Sequence, residues 1–203
     1  MLDNAHARLA LSRVVNPLAQ KLISWRISAD AVTIFGALFS SLSALLFVPR
    51  GHFLPAAILF GLCGLSDLLD GTMARMTGTV SVWGAFLDST LDRVVDASLL
   101  FSIVLYFYSL DSDNLGVLSA TIIALVSGQL ISYVRARAEA LGAQASVGVA
   151  ERAERSLIIW LALVITGLGL NVLPLAMYVL ATLSVFTVLQ RTLYIKAQLV
   201  SGS

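Results

Sequence analysis

The sequence predicts an all-α integral membrane protein, with six transmembrane helices behind an N-terminal amphipathic helix lying in the membrane interface. Three observations predict it. The 203 residues are 58% hydrophobic and only 12% charged, about half the roughly 25% charged content of soluble domains, and mean hydropathy is +0.90. The apolar residues gather into long runs near the ~20 residues a spanning helix needs. The basic residues fall almost entirely on one side of the resulting threading, the asymmetry that marks a cytoplasmic face. One domain over 1–203 suits this length, with 1–28 interfacial and 31–196 the six-helix bundle.

Residues 1–28 are mixed. Leu11, Val14, Val15, Leu18 and Leu22 follow helical spacing, with Arg13, Gln20 and Lys21 off that face. The pattern is too polar to span and predicts a helix in the headgroup layer. Pro17 is expected to break or kink it, and Trp25 with Arg26 marks the boundary. The first thirty residues have no continuous apolar core, so no cleavable signal is expected. Ala31–Val48 is the first span, closed by the turn Pro49-Arg50-Gly51. Phe53–Leu69 is the second, continuing as helix through Arg75. Met76–Trp83 reads as a loop and Gly84–Leu110 as the third span. Asp111 to Asn114 is a polar turn, and Leu115 to about Glu139 the fourth span. A connection over 140–152 leads to an apolar run from Ser156 to Gln190. That run is too long for one span, and Gly167, Gly169, Asn171 and Pro174 divide it into spans five and six.

An even number of spans puts both ends on one side. With them fall Arg8, Arg13, Lys21, Arg26, Arg75, Arg93, Arg135, Arg137, Arg152, Arg155, Arg191 and Lys196, against Arg50 alone on the other. The termini are therefore expected in the cytoplasm, as are the inner ends of spans two and three. The single Cys63 lies in an apolar run, which excludes a disulfide within the chain. His6 and His52 lie at opposite ends of the threading and make poor ligands. No repeat, low-complexity tract or nucleic-acid-binding surface is evident.

At those inner ends lie four acids, in DLLDGTMAR (67–75) and GAFLDSTLD (84–92). A carboxylate at membrane depth is costly and marks function by default. Asp67 and Asp70 share a helix face at i, i+3, and Asp88 and Asp92 at i, i+4. Gly71 and Ala74 fall on the first acidic face, leaving bare backbone beside the carboxylates, and Arg75 can fork onto a phosphate. Oxygen-only ligands suit Mg²⁺ or Mn²⁺ rather than zinc or copper. Four carboxylates can hold two such ions roughly 3.5–4 Å apart, as in phosphoryl transfer. A cation-coupled transporter would also explain acids in a membrane, though it leaves the Gly, Ala and Arg unexplained and would more often place its acids near the midplane.

The run DxxDGxxAR, eight residues, G, three, D, three, D resembles the signature of the CDP-alcohol phosphotransferases, with every fixed position filled. The resemblance implies transfer of a substituted phosphate from a CDP-linked lipid to an alcohol, with CMP released. It implies Asp67, Asp70, Asp88 and Asp92 as ligands of two Mg²⁺ ions (Mn²⁺ in their place is an open alternative), and Asp92 also as the base. It further assigns Asp30, Ala31, Val32, Thr33 and Ser81 to the nucleotide site, beside Gly71, Ala74 and Arg75. Related enzymes are homodimers of bacterial cell membranes.

Ser132, Arg135, Arg155 and Arg191 enter from three further spans at the expected cytoplasmic level. Three arginines there would suit an acceptor bearing its own phosphate, although membrane topology alone also places arginines at such ends. WGAFLDSTLDR, ISYVRARAE and neighbouring stretches resemble the actinobacterial phosphatidylinositol phosphate synthases. That likeness implies CDP-diacylglycerol as donor, inositol 1-phosphate as acceptor, and these four residues as the acceptor pocket. Glycerol 3-phosphate is the competing acceptor. Asp96, one turn beyond Asp92, is expected to pair with Arg93, and Glu139, Glu151 and Glu154 with nearby arginines.

Overall fold

The computed structural model describes residues 3–110, 114–145 and 147–201, with side chains described except at residues 3–12, Val14 and Ser201. Among the described residues are eight α-helices: α1 (Asp3–Ser24), α2 (Ala29–Phe47), α3 (Phe53–Cys63), α4 (Ser66–Thr77), α5 (Val82–Ser109), α6 (Leu115–Ala140), α7 (Arg152–Gly167) and α8 (Leu173–Ser201). The acids expected in the turn at Asp111 and Asp113, and the side chains of Leu11 and Val14, lie outside the description.

Among the described residues, four stretches are long and apolar enough to cross a membrane: Ala29–Arg50, Phe53–Thr77, Leu115–Ala140 and Leu173–Val200. Two further expected spans fall short for physical reasons. α5 has 28 residues, but it carries Asp88, Asp92, Arg93 and Asp96. α7 has only 16 residues, less than the ~20 that cross a bilayer without thinning it.

The chain divides into two compact units. One comprises the residues up to Leu42 with Leu59–Val95; the other comprises Ser43–Ile58 with Asp96–Ser203. In the first unit α1 packs on α4. The packed face of α1 includes Val15 and Ala19, whereas Leu18 is exposed, so the stripe read from the sequence is rotated by one position. The helix also continues through Pro17 instead of breaking there. Pro17 is exposed, so the carbonyl that its ring leaves without an amide partner can be satisfied by water.

The expected unbroken helix from Phe53 through Arg75 is interrupted at Gly64–Leu65, which separates α3 from α4. Leu65 N–H donates to Leu62 O at 3.1 Å, a tighter turn than the α ladder, and the Ser66 hydroxyl donates to Cys63 O. Ser66 also lies where a Cβ on Gly36 would be, so glycine at 36 lets α2 approach this break. α4 ends at Gly78, whose positive φ of 69° and N–H bond to Ala74 O form a left-handed cap.

In the second unit α8 packs against both α6 and α7. Its core is Leu99, Ile103, Leu163, Leu173, Met177 and Leu180, all fully buried. The break predicted between spans five and six is present, as α7 ends at Gly167 and α8 starts at Leu173. A Cβ at Gly167 would lie 2.7 Å from the Leu54 backbone nitrogen. Backbone cannot yield as a side-chain tip can, so Gly167→Ala is expected to destabilise by about 1–3 kcal/mol. A thermal melt in detergent checks this; an unchanged midpoint would show that the α7–α3 approach relaxes freely.

Candidate active site

In the first unit, three carboxylates converge. Asp67 and Asp70 from α4 and Asp88 from α5 each offer an oxygen, and these atoms lie within 4.8 Å of one another. Three anionic groups at that separation repel unless a cation lies among them. The donor set is all oxygen, so the residues fit a hard divalent ion such as Mg²⁺ or Mn²⁺. Asp92, one turn further along α5, does not belong to this group of three. It is half-buried.

Local sequence sets this geometry. Ser81 Oγ accepts the Gly84 N–H at 3.0 Å, an N-cap that starts α5 nearly two turns before Asp88. Ser28 Oγ similarly accepts the Ala31 N–H at 3.2 Å and starts α2, placing Asp30 in the first turn. From α2, Thr33 donates its hydroxyl to Asp70 Oδ2 at 2.6 Å, while Asp70 Oδ1 accepts the Gly71 N–H. Both oxygens of Asp70 are thereby oriented, as outer partners of a metal ligand commonly do. Arg75 folds back over Gly71, with Nη1 3.4 Å from where a Cβ would lie, and Nη2 donates to Thr72 Oγ1 at 3.2 Å.

The nucleotide residues expected from the sequence gather in this same unit. Asp30 Oδ2 accepts the indole N–H of Trp83 at 3.1 Å, and its Oδ1 lies 3.9 Å from the Cβ position of Gly84. Ala31, Val32 and Ala74 are half-buried beside them on α2 and α4. Trp83, expected as the last residue of a loop, instead lies in the first turn of α5 and reaches Asp30 across 53 positions. Thr33 was read as a nucleotide residue, and the structure makes it a partner of Asp70. Ser81 serves as a helix cap.

The second unit holds the four residues expected to bind the acceptor's phosphate. Arg155 and Arg191 are both almost fully buried. Arg155 donates through Nη1 to Ala150 O at 3.2 Å and through Nη2 to Asp96 Oδ2 at 3.2 Å. Its Nε lies 3.5 Å from the Cβ position of Gly128. Arg191 donates from Nε to Val147 O at 2.8 Å and from Nη1 to Ile131 O at 3.1 Å, and Nη2 faces Glu151 Oε1 at 3.5 Å. Ser132 Oγ is 3.5 Å from Gly128 O, so Ser132, Arg155 and Arg191 share one turn of α6. Arg135, one turn further along α6, is exposed and paired with Glu139 at 3.0 Å. Asp96 meets Arg155 and, at 3.7 Å, Arg152. Both of these cations come from α7, far from Asp96 along the chain.

A family model described as CDP-alcohol phosphatidyltransferase matches residues 26–192. The phosphatidylinositol phosphate synthase of Streptomyces avermitilis is 40% identical, over 96% of this chain and 83% of that protein. That of Cutibacterium acnes is 39% identical, over 94% and 96%. Two solved structures of the Mycobacterium tuberculosis phosphatidylinositol phosphate synthase (PgsA1) are each 33% identical and cover 90% of this chain. The one with CDP-DAG bound has a TM-score of 0.85 and 94% of its chain covered, and the one in complex with manganese and citrate 0.86 and 88%. With its four spaced aspartates, three of them drawn together, and a match over most of its length, the chain belongs to the CDP-alcohol phosphatidyltransferase family.

Proposed function

We propose that this protein transfers the phosphatidyl group of CDP-diacylglycerol to a hydroxyl of inositol 1-phosphate, giving phosphatidylinositol phosphate and CMP. The observation that carries the reading is the convergence of Asp67, Asp70 and Asp88 within the family's aspartate motif. These three are the metal ligands, Asp92 contributes to the set and acts as base, and the ions are two Mg²⁺, with Mn²⁺ a substitute. When bound, such ions neutralise charge on the pyrophosphate and on the leaving nucleotide. Thr33 holds Asp70 in place, Asp30 and Trp83 line the cytidine end together with Ala31, Val32 and Ser81, and Gly71 with Ala74 allows close approach to the α4 backbone. Arg75 takes a phosphate oxygen. Asp92 accepts the proton of the acceptor hydroxyl as its oxygen bonds to the lipid-bearing phosphorus. The bond from that phosphorus to the CMP oxygen breaks, and CMP departs as a phosphate monoester.

Within the second unit, Arg155 and Arg191 hold the acceptor's phosphate, with Ser132 and Arg135 beside them. Support comes from the burial of both arginines against one turn of α6, since a buried guanidinium needs anions. The same reading gives six spans, with α5 and α7 crossing as well, α1 in the interface, and both termini cytoplasmic in a bacterial plasma membrane. The active form is a homodimer.

Purified protein given CDP-diacylglycerol, Mg²⁺ and one acceptor at a time provides the test. CMP release with inositol 1-phosphate, but not with inositol or glycerol 3-phosphate, is expected. Release with glycerol 3-phosphate alone would move the protein to that acceptor. Arg155→Gln should raise the acceptor KM about ten- to a hundredfold, the worth of a charge-assisted contact, and leave the CDP-diacylglycerol KM unchanged. Equal changes in both would indicate lost folding instead.

A further inference from the structure

Arg191 poses a problem for any ligand. Its guanidinium is 2% exposed, yet the acceptor's phosphate must reach it. Two of its nitrogens are fixed by backbone: Nε on Val147 O at 2.8 Å and Nη1 on Ile131 O at 3.1 Å. Both acceptors are neutral backbone carbonyls, which leave the charge of Arg191 uncompensated. The third nitrogen, Nη2, is covered differently, by the Glu151 carboxylate at a long 3.5 Å. That side chain is 48% exposed, so water can take it up at little cost when it leaves. By contrast Asp96, which pairs with Arg155, is 12% exposed and held by two arginines.

The surrounding segment is built to stay still while Glu151 moves. Gly148 has φ 154°, and a Cβ there would lie 2.8 Å from Thr187 Cγ2 and 3.1 Å from Arg191 Nη2. Thr187 Oγ1 accepts the Ala150 N–H at 3.1 Å, and Arg155 takes Ala150 O. Upstream, the Gln198 amide bonds both the N–H and the carbonyl of Gln144, at 3.0 and 2.8 Å. The backbone at Gln144 and at Ala150 is thus strapped to α8 and α7, and the carboxylate of Glu151 is the exchangeable element.

From this we infer that Glu151 is a specificity-determining residue that occupies the place of the acceptor's phosphate on Arg191 Nη2 and is displaced by it. A buried cation without an anion is strongly unfavourable, so Arg191 keeps one at all times: Glu151 without acceptor, phosphate with it. Any anion that takes this place must outcompete an internal carboxylate. Phosphate does so because a phosphate monoester carries about −1.5 to −2 charge at neutral pH and three strong acceptor oxygens, whereas a lone carboxylate of a small metabolite gains little over Glu151. The inference rests on the acceptor reading above.

Removing the competitor should strengthen anion binding. A carboxylate seated about nine-tenths of the time weakens apparent affinity about tenfold, and a half-exposed pair is worth less than a buried one. Glu151→Gln should therefore lower the KM for inositol 1-phosphate about three- to tenfold, with the CDP-diacylglycerol KM unchanged. Glu154→Gln, which removes an equal exposed charge one turn further along α7, should change neither by more than about twofold. Glu151→Asp keeps the charge but shortens the reach, and should also lower the acceptor KM; it serves as the second variant where Gln compromises folding. An acceptor KM that stays the same or rises in both Glu151 variants would overturn the inference, as would an equal fall in Glu154→Gln. Binding of inorganic phosphate to the full-length wild-type and Glu151→Gln proteins separates this from the acceptor assignment. Tighter phosphate binding in the variant supports the displacement even where inositol 1-phosphate proves not to be the acceptor, and unchanged binding sinks it.

Discussion

Asp92→Asn is expected to cut CMP release by about a hundred- to ten-thousandfold, the range over which a positioned base contributes. CDP-diacylglycerol binding should stay within about threefold of wild type. The reason is the division the structure makes among the four aspartates. Asp67, Asp70 and Asp88 converge without Asp92, so the amide variant keeps the three carboxylates that draw in a divalent ion and, with it, the pyrophosphate. What it loses is a group able to accept the hydroxyl proton. Binding of CDP-diacylglycerol and single-turnover CMP release, measured on the same preparation, separate the two effects. Turnover near wild type would remove Asp92 from the chemistry, and loss of binding in step with turnover would make it chiefly a ligand.

For Asp70→Asn the expectation is the reverse: metal affinity itself collapses. Asp70 contributes one of three converging oxygens, and both of its carboxylate oxygens are oriented, by Thr33 and by the Gly71 N–H. An amide offers a neutral oxygen to a hard cation that prefers charged ones. The loss should exceed the roughly 10–100-fold that outer-shell partners are worth. Thr33→Val removes only such a partner and should fall inside that range. A Mn²⁺ titration of wild type and both variants, followed by the paramagnetic signal of the free ion, gives the order. Equal affinities for Asp70→Asn and wild type would take Asp70 out of the ligand set. A Thr33→Val effect as large as that of Asp70→Asn would point to collapse of α2 against α4 instead.

The sequence by itself determined what short-range geometry controls. Helix spacing alone put Asp67 with Asp70, and Asp88 with Asp92, because positions three and four apart share a face whatever lies beyond. Apolar runs located the helices, and the break after Gly167 was visible because glycine, asparagine and proline interrupt a run in any context. Apolar runs predicted six spans, and four stretches of the described residues are long and apolar enough to cross; α5 and α7 fall short by that measure because of charge and shortness. Family membership was legible too, since a motif of fixed spacing survives without its fold.

Tertiary structure decided whatever joins residues distant along the chain. Thr33 meets Asp70 across 37 positions, Arg155 meets Asp96 across 59, and Arg191 reaches Val147 across 44. No periodicity encodes those choices, which follow from which helices pack and at what register. The arginines show the difference most plainly. In sequence, Arg135, Arg155 and Arg191 are three equivalent cations at inner helix ends. In the fold, one is exposed beside Glu139 and two are buried, because packing on α6 removes the latter two from solvent and forces each to find an anion within the protein.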